Sequence, residues 1–154
     1  MMEISPVPDD RPAFTVQIVA ADAAAAIDFY IKAFGAVEAF RLTEPSGKIG
    51  HAELKLGGTL LMLSDPYPEH GAPPPSDGPS PLRLHLYVAD VDAAIAKAVA
   101  LGATVKRPVA DQFYGDRAGT IIDPAGHVWY LASRRELVSP AEMQARWDRM
   151  MLES

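Results

Sequence analysis

The sequence predicts an α+β protein that is built from two tandem βαβββ modules and ends in a C-terminal helix. An internal repeat is the first observation behind this prediction. The segment IVAADAAAAIDFYIKAFGAVE, which begins at Ile18, resembles LYVADVDAAIAKAVALGATVK, which begins at Leu86, and Asp22 aligns with Asp90 at an offset of 68 residues. The second observation is a shared order of elements, because each copy reads as a strand, a helix and three further strands. A repeat of this length indicates a duplicated supersecondary unit.

The first strand of each module alternates with the period of two that a half-buried strand requires. In module one, one predicted face holds Phe14, Val16 and Ile18, and the other holds Thr15, Gln17 and Val19. In module two, Leu82, Leu84, Leu86 and Val88 are predicted to oppose Arg83, His85 and Tyr87. The apolar set is expected to pack on the helices, which leaves the polar set of module two on the opposite face.

The predicted helices have matching start and stop signals. Asp22 and Asp90 stand at the N-cap positions, where a carboxylate accepts free backbone N–H groups. Gly35 and Gly102 stand where a left-handed C-terminal residue is favoured. The predicted apolar stripes are Ile27, Tyr30, Ile31 and Phe34 in the first helix and Val91, Ile95, Ala98 and Val99 in the second.

The remaining segments complete each module and define its limits. AVEAFRL, KIGHAELKL and TLLMLSD, then ATVKRPV, AGTIID and HVWYLAS, read as strands separated by turn residues. We expect one domain over 1–154, with module one at about 12–65, a proline-rich linker at about 66–81, module two at about 82–133 and a C-terminal helix at about 139–152. Ser139 is the predicted N-cap of that helix. Its apolar stripe of Met143, Trp147 and Met150 either docks on its own domain or covers a partner's cleft.

Composition limits the functions that are open to the chain. The 154 residues are 49% hydrophobic and 22% charged, as in a globular protein, and no cysteine is available for disulfides or thiolate chemistry. A net charge of −6 argues against a nucleic-acid partner. The start of the sequence has no signal-peptide pattern, and no apolar run reaches the roughly 20 residues of a membrane span. We therefore expect a cytoplasmic protein without a membrane partner.

Four segments resemble one superfamily: AAIDFYIKAFGA, GHAELKLGGTLLMLSD, LHLYVADVDAAI and DQFYGDRAGTIIDPAGHVWYLAS. Their order and spacing are similar to those of the vicinal-oxygen-chelate superfamily of glyoxalase, bleomycin-resistance and dioxygenase relatives, and within it to the PhnB-like branch. The resemblance runs from about Phe14 to about Ser133. It implies a curled mixed sheet around a cleft that is often completed across a homodimer.

The resemblance also implies where metal ligands would stand. In metal-binding members they lie seven residues before each helix-opening aspartate and four residues after the glycine of the DPxGH turn. Those positions hold Thr15, Arg83 and Tyr130 here. A guanidinium has no lone pair to donate and would repel a cation. We therefore predict that the usual metal site is missing and that no cofactor is used, although His51 with Glu53 resembles a fragment of a metal site.

The predicted cleft combines apolar walls with a few polar groups, as small-molecule sites do. Arg83 either anchors an anionic or carbonyl-bearing ligand or pairs with an acid such as Glu53. His85 is either a general base or a hydrogen-bonded strand histidine. Catalytic residues are not assigned beyond these two candidates. The predicted ligand-binding residues are Thr15, Gln17, His51, Glu53, Arg83, His85, Tyr87, Tyr114 and Tyr130.

Two further motifs are interpreted as structural. Trp129 in the Gly-His-x-Trp turn alternates onto the helix-facing side of its strand and is expected to lie in the core. Asp116 and Arg117 are expected to lock a hairpin as a side-chain pair.

The sequence leaves three hypotheses for function. The first is metal-independent binding of a small organic molecule in the clefts of a homodimer. The second is an enzyme of lyase, isomerase or dioxygenase type, which would use an atypical metal site around His51, Glu53 and His85 or metal-free chemistry with His85 as base and Arg83 as stabiliser. The third is a structural role with a vestigial cleft.

Overall fold

Strands and helices follow the predicted order in both halves of the chain. The computed structural model describes residues 3–76 and 80–154. One unit, Met1–Asp77, contains β1 (Val16–Val19), α1 (Ala23–Phe34), β2 (Val37–Thr43), β3 (Ile49–Leu56), β4 (Thr59–Ser64) and a 3-10 turn (Pro68–His70). The other, Gly78–Ser154, contains β5 (Arg83–Tyr87), α2 (Val91–Ala100), β6 (Thr104–Asp111), β7 (Asp116–Ile122), β8 (Val128–Arg134) and α3 (Pro140–Glu153). The prediction of two βαβββ modules and a C-terminal helix is confirmed.

The two sheets have the same topology. The first has the order β1-β4-β3-β2 and the second β5-β8-β7-β6. In each, the first strand of the module pairs in parallel with the last strand, and the other pairs are antiparallel. Each sheet is therefore mixed, because the helix returns the chain to the far side of the module before the last three strands form a meander.

The helix N-caps form as the aspartates predict. Asp22 accepts the backbone N–H of Ala25 at 3.0 Å, and Asp90 accepts that of Ala93 at 3.1 Å. At the other end of α1, Gly35 adopts a left-handed conformation with φ of 72°. Helix α2 closes one residue earlier than predicted, on Leu101, and the left-handed Gly102 follows it.

A second anchor at each helix start repeats at the same offset. The backbone N–H of Ala23 donates to Asp65 at 2.9 Å, and that of Val91 donates to the hydroxyl of Ser133 at 3.0 Å. Asp65 directly follows β4 and Ser133 lies near the end of β8, and the two residues stand 68 residues apart, as Ala23 and Val91 do. In each module, a side chain near the end of the last strand therefore accepts a hydrogen bond from the start of the helix, and this side chain is a carboxylate in one module and a hydroxyl in the other.

Each core lies between one helix and the inner face of its sheet. In the second unit, Leu84 and Leu86 of β5 stand beside Trp129 and Leu131 of β8 in register, and all four are buried. The buried stripe of α1 uses small residues, Ala23, Ala26 and Ala33, with Ile27, Phe29 and Tyr30. These alanines let the helix approach the sheet closely.

Several predicted apolar positions are wrong in detail. Ile31 and Val99 lie beside the buried helix stripes and are 38% and 43% exposed. Phe14 and Leu82 precede the strands that the alternation predicts for them, because β1 begins at Val16 and β5 at Arg83, and both side chains are exposed.

Two features bear on the predicted boundaries. Asp77, Gly78 and Pro79 of the predicted linker lie outside the described residues, so the linker and the single domain over 1–154 stay predictions. In the ranges 3–76 and 80–154, no helix combines the length and apolar character needed to cross a membrane.

Candidate functional site

A pocket of about 980 Å³ lies on the sheet face of the second unit that faces away from α2. Strand β5 presents Arg83, His85 and Tyr87 to it, and β8 presents Tyr130, the register partner of His85. The sequence predicts the alternation of these strands, and the structure brings the four side chains together. Tyr114, the fifth predicted residue from this half of the chain, also lines the pocket.

Register builds the pocket floor from rows of cross-strand neighbours. One row runs Arg107, Thr120, Tyr130 and His85 across β6, β7, β8 and β5. Side chains in such a row lie on the same face and contact one another. This row carries the polar and aromatic groups of the floor.

The next row is built from small residues. Ala110, Ala118 and Ala132 stand in register beside Tyr87. Ala110 and Ala118 line the pocket, and their methyl groups fill little space above the backbone, so this row leaves room for a ligand.

Ring contacts hold His85 in place. Its ring stacks on that of Tyr130 with centroids 4.8 Å apart and an interplanar angle of 22°, and it meets Tyr87 edge-on at 5.0 Å. The Arg83 guanidinium carbon lies 5.7 Å from the Tyr130 ring centroid. Within the described part of the chain, His85 makes ring contacts and no hydrogen bond to another residue, and both predicted roles of His85 stay predictions.

Asp116 is a buried carboxylate on the pocket wall. It is 5% exposed, and its Oδ2 accepts the Tyr87 hydroxyl at 2.7 Å. This hydrogen bond raises the pKa of Tyr87, because it is made only while the phenol keeps its proton. The predicted pair of Asp116 with Arg117 is wrong. Arg117 instead binds Asp92 at 2.8 Å and Asp111 at 3.2 Å.

The hydroxyl of Tyr130 is buried and has no hydrogen-bond partner within the described residues. Burial raises the pKa of Tyr130, and the positive charges of Arg83 and Arg107 lower it by smaller amounts. The phenol is therefore protonated near neutral pH. An unpaired buried hydroxyl costs free energy, so this group has an unmet capacity to bind a ligand or a water molecule.

The other wall comes from the β6–β7 loop and from α3. Phe113, Tyr114, Trp147 and Met150 line the pocket, and the rings of Phe113 and Trp147 lie 5.6 Å apart. Helix α3 starts as predicted, because Ser139 accepts the N–H of Glu142 at 3.2 Å. Its predicted apolar stripe is only partly covered, since Trp147 and Met150 are 45% and 42% exposed.

Arg146 ties α3 to the pocket wall. It donates to the carbonyl of Phe113 at 2.9 Å, to Glu136 at 2.6 Å and to Glu142 at 3.0 Å. These contacts join the helix, the segment that precedes it and the loop. Trp147, the next residue, is held over the pocket by this anchor.

We expect Gly115→Ala to loosen this wall. Gly115 has φ of 97°, and an added Cβ would lie 2.6 Å from the carbonyl of Glu136 and 2.9 Å from Val138. Both the strained backbone and the clash act against the segment that leads into α3, so we expect the free energy of unfolding to fall by more than the roughly 1–3 kcal/mol that the strained backbone alone costs. Urea unfolding measures this loss. Gly126→Ala, which has a similar φ of 92° but open space at the Cβ position, is the control for backbone strain alone. Equal losses in the two variants would contradict the role of the Gly115 contact.

Two of the predicted residues of the first unit, His51 and Glu53, form a cluster with Arg11. Glu53 is buried, with 4% of its surface exposed. Its two carboxylate oxygens accept hydrogen bonds from Arg11 at 2.7 and 2.9 Å, and the His51 ring nitrogen Nε2 lies 2.9 Å from one of them. Hydrogen bonds from His51 and then Arg11 lower the pKa of Glu53. Arg11 from the N-terminal segment therefore supplies Glu53 with a positive charge within its own unit, and the pairing of Arg83 with an acid such as Glu53 stays one of the predicted alternatives.

Within the described ranges, no such cluster surrounds Gln17 or Thr15. Gln17 is exposed and lines a shallow surface depression with Tyr67 and His70. Thr15 is half-buried just before β1. Their part in ligand binding, like that of His51 and Glu53, stays a prediction.

The donor groups do not fit a divalent ion. Of the three positions that the resemblance implies, Arg83 offers a cation, Tyr130 a protonated phenol and Thr15 a neutral hydroxyl. Both oxygens of Glu53 are engaged by Arg11, whose charge repels a metal. In residues 3–76 and 80–154, no three His, Cys, Asp or Glu side chains are grouped to hold an ion.

Three pocket residues do not follow from the strand pattern of the sequence. Arg107, Phe113 and Asp116 line the pocket, and the sequence singles out only Asp116, for a different role. Strand β6 carries register shifts on both sides of Arg107, so the alternation that locates the β5 residues does not apply there. The position of Phe113 depends on the hairpin turn and on the docking of α3.

Known proteins resemble the chain in sequence and in structure. It matches the family model of the Glyoxalase/Bleomycin resistance protein/Dioxygenase superfamily over residues 13–131. An uncharacterized protein of Mycobacterium bovis, Mb0911c, is 44% identical over 139 residues, which cover 88% of this chain and 91% of that protein. The crystal structure of TioX from Micromonospora sp. ML1 is 26% identical, with a TM-score of 0.62 over 79% of this chain and 97% of that one. The At5g48480 gene product of Arabidopsis thaliana is 29% identical, with a TM-score of 0.59 over 77% and 93%. The chain therefore belongs to the glyoxalase/bleomycin-resistance/dioxygenase superfamily, the vicinal-oxygen-chelate proteins.

Proposed function

We propose that the protein binds a small organic molecule in the pocket of the second unit and that it does so without a metal ion. The observation that carries this proposal is the convergence on one pocket of two guanidinium groups, three phenols and an imidazole. These groups recognise organic ligands by hydrogen bonds and stacking. A volume of about 980 Å³ lies at the upper end of small-molecule sites.

An enzyme of the same superfamily is the second candidate. His85 favours it, because its ring nitrogens are free of hydrogen bonds among the described residues and lie in the pocket near the Tyr87–Asp116 pair. A lyase or isomerase mechanism would use His85 as the base and Arg83 to stabilise developing negative charge. A dioxygenase reaction would need a redox centre, and the donor groups of the pocket do not suit one.

Three finer assignments accompany the proposal. Membership of the PhnB-like branch is supported by the FYIKAFG and DPAGHVW segments. A cytoplasmic location is carried over from the sequence-based expectation. A homodimer is supported by large apolar side chains that the first unit leaves exposed on β2, namely Val37, Phe40 and Leu42.

Thermal unfolding of the untagged protein with a library of small organic compounds tests the binding function. In the presence of EDTA, we expect some compounds to raise the melting temperature saturably, because a ligand that binds only the folded state stabilises it. Ala110→Trp, which fills the pocket from an exposed position, should abolish these shifts. Thr104→Trp on the same strand is the control, because Thr104 is exposed and does not line the pocket.

The metal part of the proposal has its own measurement. Elemental analysis of the purified protein should find no stoichiometric metal, and Zn²⁺, Ni²⁺, Mn²⁺ and Fe²⁺ should leave the melting temperature unchanged. About one bound ion per chain, with a saturable rise in melting temperature, would overturn metal independence and favour the enzyme.

A further inference from the structure

The pocket lining carries more positive than negative charge. Arg83 and Arg107 both line it, and neither has an ion pair among the described residues. This contrasts with Arg11, Arg117 and Arg146, each of which binds a carboxylate. Both residues are exposed, so in a chain with a net charge of −6 they leave two guanidinium groups open to an anionic ligand.

The carboxylate that lines the pocket does not neutralise these cations. Asp116 accepts the hydroxyl of Tyr87, and it stands on the Tyr87 side of the floor. Arg83 and Arg107 instead flank Tyr130, because β5 and β6 are the two outer strands of the sheet and β8 lies between them. The Arg83 guanidinium carbon lies 5.7 Å from the Tyr130 ring centroid, and Arg107 stands in the same cross-strand row as Tyr130, whose hydroxyl is buried without a partner among the described residues.

Aromatic groups line two sides of the same space. The stacked rings of His85 and Tyr130 form part of the floor, and Phe113 and Trp147 belong to the wall that the loop and α3 supply. Flat rings of this kind favour a flat ligand, because stacking and edge-on contacts depend on ring geometry. The alanine row beside Tyr87 leaves room for more than one ring.

We propose that the ligand of this pocket is a planar aromatic acid, whose anionic group binds Arg83, Arg107 and the Tyr130 hydroxyl and whose rings lie against His85, Phe113 and Trp147. This inference rests on the proposed function and names its ligand class. A carboxylate is the natural partner of guanidinium groups, and it would accept the hydrogen bond that the Tyr130 hydroxyl makes to none of the described residues. Neutral aromatic compounds would leave both guanidinium groups to solvent and would offer the buried hydroxyl no charged acceptor.

Matched acids and amides test the inference by isothermal titration calorimetry. The probes are 2-naphthoate and indole-3-carboxylate, their primary amides, and cyclohexanecarboxylate as an anion without an aromatic ring. We expect each aromatic acid to bind about tenfold or more tightly than its amide, as charge-assisted hydrogen bonds predict. We expect cyclohexanecarboxylate to bind more weakly than either aromatic acid.

Charge-removing variants locate the anion. Arg83→Gln and Arg107→Gln should each weaken binding of the acids about tenfold and leave the amides unchanged. Lys106→Gln removes one positive charge from β6, the strand of Arg107, at an exposed residue outside the pocket lining. It should leave the binding of the acids and of the amides unchanged. An equal loss in Lys106→Gln would show that only net charge matters and would overturn the inference.

The outcomes separate the inference from the function on which it rests. If the amides bind as tightly as the acids, the ligand class is wrong and the binding pocket stands. The same holds if no acid binds at millimolar concentration while neutral library compounds bind the unaltered protein and fail to bind Ala110→Trp. If no organic compound of either kind binds, both proposals fail.

Discussion

Trp129→Ala should lower the free energy of unfolding by about 3–5 kcal/mol, the range for truncating a buried aromatic side chain. Trp129 is 3% exposed and packs on the helix side of β8 beside Leu84 and Ile121, its register neighbours. Its indole N–H also donates to Asp123 at 2.8 Å. The substitution therefore opens a cavity and removes a hydrogen bond from a buried carboxylate at the same time.

The turn at Asp123 is the reason that we expect the loss for Trp129→Ala to lie toward the upper end of this range. Asp123 is 4% exposed and accepts the backbone N–H groups of Ala125 and His127 at 2.8 and 3.0 Å in addition to the indole. It closes the turn between β7 and β8, and the indole fixes its second oxygen. Loss of that donor loosens the connection between the two strands that form the centre of the sheet.

Urea unfolding followed by circular dichroism measures the effect. Trp129→Phe keeps most of the ring and removes the indole donor, so it should cost about 1–3 kcal/mol. Trp147→Ala is the control, because the chain has two tryptophans and Trp147 is 45% exposed. A loss below about 1 kcal/mol for Trp129→Ala, or one no larger than that of Trp147→Ala, would move Trp129 out of the core.

The alternation of apolar and polar residues in the sequence is enough to locate the pocket residues that β5 and β8 supply. In β5, apolar Leu84 and Leu86 alternate with Arg83, His85 and Tyr87, and only one register buries the leucines. Because a shift of one residue would reverse every side chain, the pattern determines which residues face away from the helix. Tyr130 follows from the same argument, since Trp129 and Leu131 on either side of it are buried.

The rest of the lining depends on information that local patterns do not contain. Arg107 lies between two register shifts, where periodicity loses its meaning. Asp116 has Arg117 as its sequence neighbour, yet it bonds to Tyr87, 29 residues away. Successive residues of an extended strand point to opposite faces of the sheet, so two charged residues that are adjacent in such a strand are poor partners.

Arg11→Met should lower the free energy of unfolding at pH 7 by about 2–3 kcal/mol. Glu53 is almost fully buried, and the Arg11 guanidinium binds both of its oxygens. Without the arginine, the carboxylate keeps only the contact with His51, and an uncompensated buried charge is costly. The expected loss is below that of a fully buried pair, because the Arg11 side chain is 36% exposed and part of its charge stays in water.

A double variant separates a lost ion pair from lost packing. Arg11→Met with Glu53→Gln removes both charges, and it should recover most of the stability, because a neutral amide does not need a cation. Equal destabilisation of the single and double variants would mean that Arg11 stabilises through its aliphatic contacts. Arg41→Met is the matched surface control, since Arg41 pairs with Glu38 on an exposed strand and such pairs contribute about 0–1 kcal/mol.

The pH dependence follows from the direction of the Glu53 shift. Hydrogen bonds from His51 and Arg11 lower the pKa of Glu53 in the folded state below its ordinary value of 4.5. The stability that the ionised carboxylate contributes is therefore fully present above that value and is lost as pH falls through the lower, folded-state pKa.

Arg11→Met removes one of the two groups that lower this pKa, so Glu53 takes up its proton at a higher pH in the variant than in the unaltered protein. The difference in free energy of unfolding between the two proteins should be constant from about pH 7 to pH 5 and should shrink below about pH 4, as Glu53 becomes protonated first in the variant and then in the unaltered protein. A difference that stays the same down to about pH 3 would show that the ion pair does not account for the effect of Arg11.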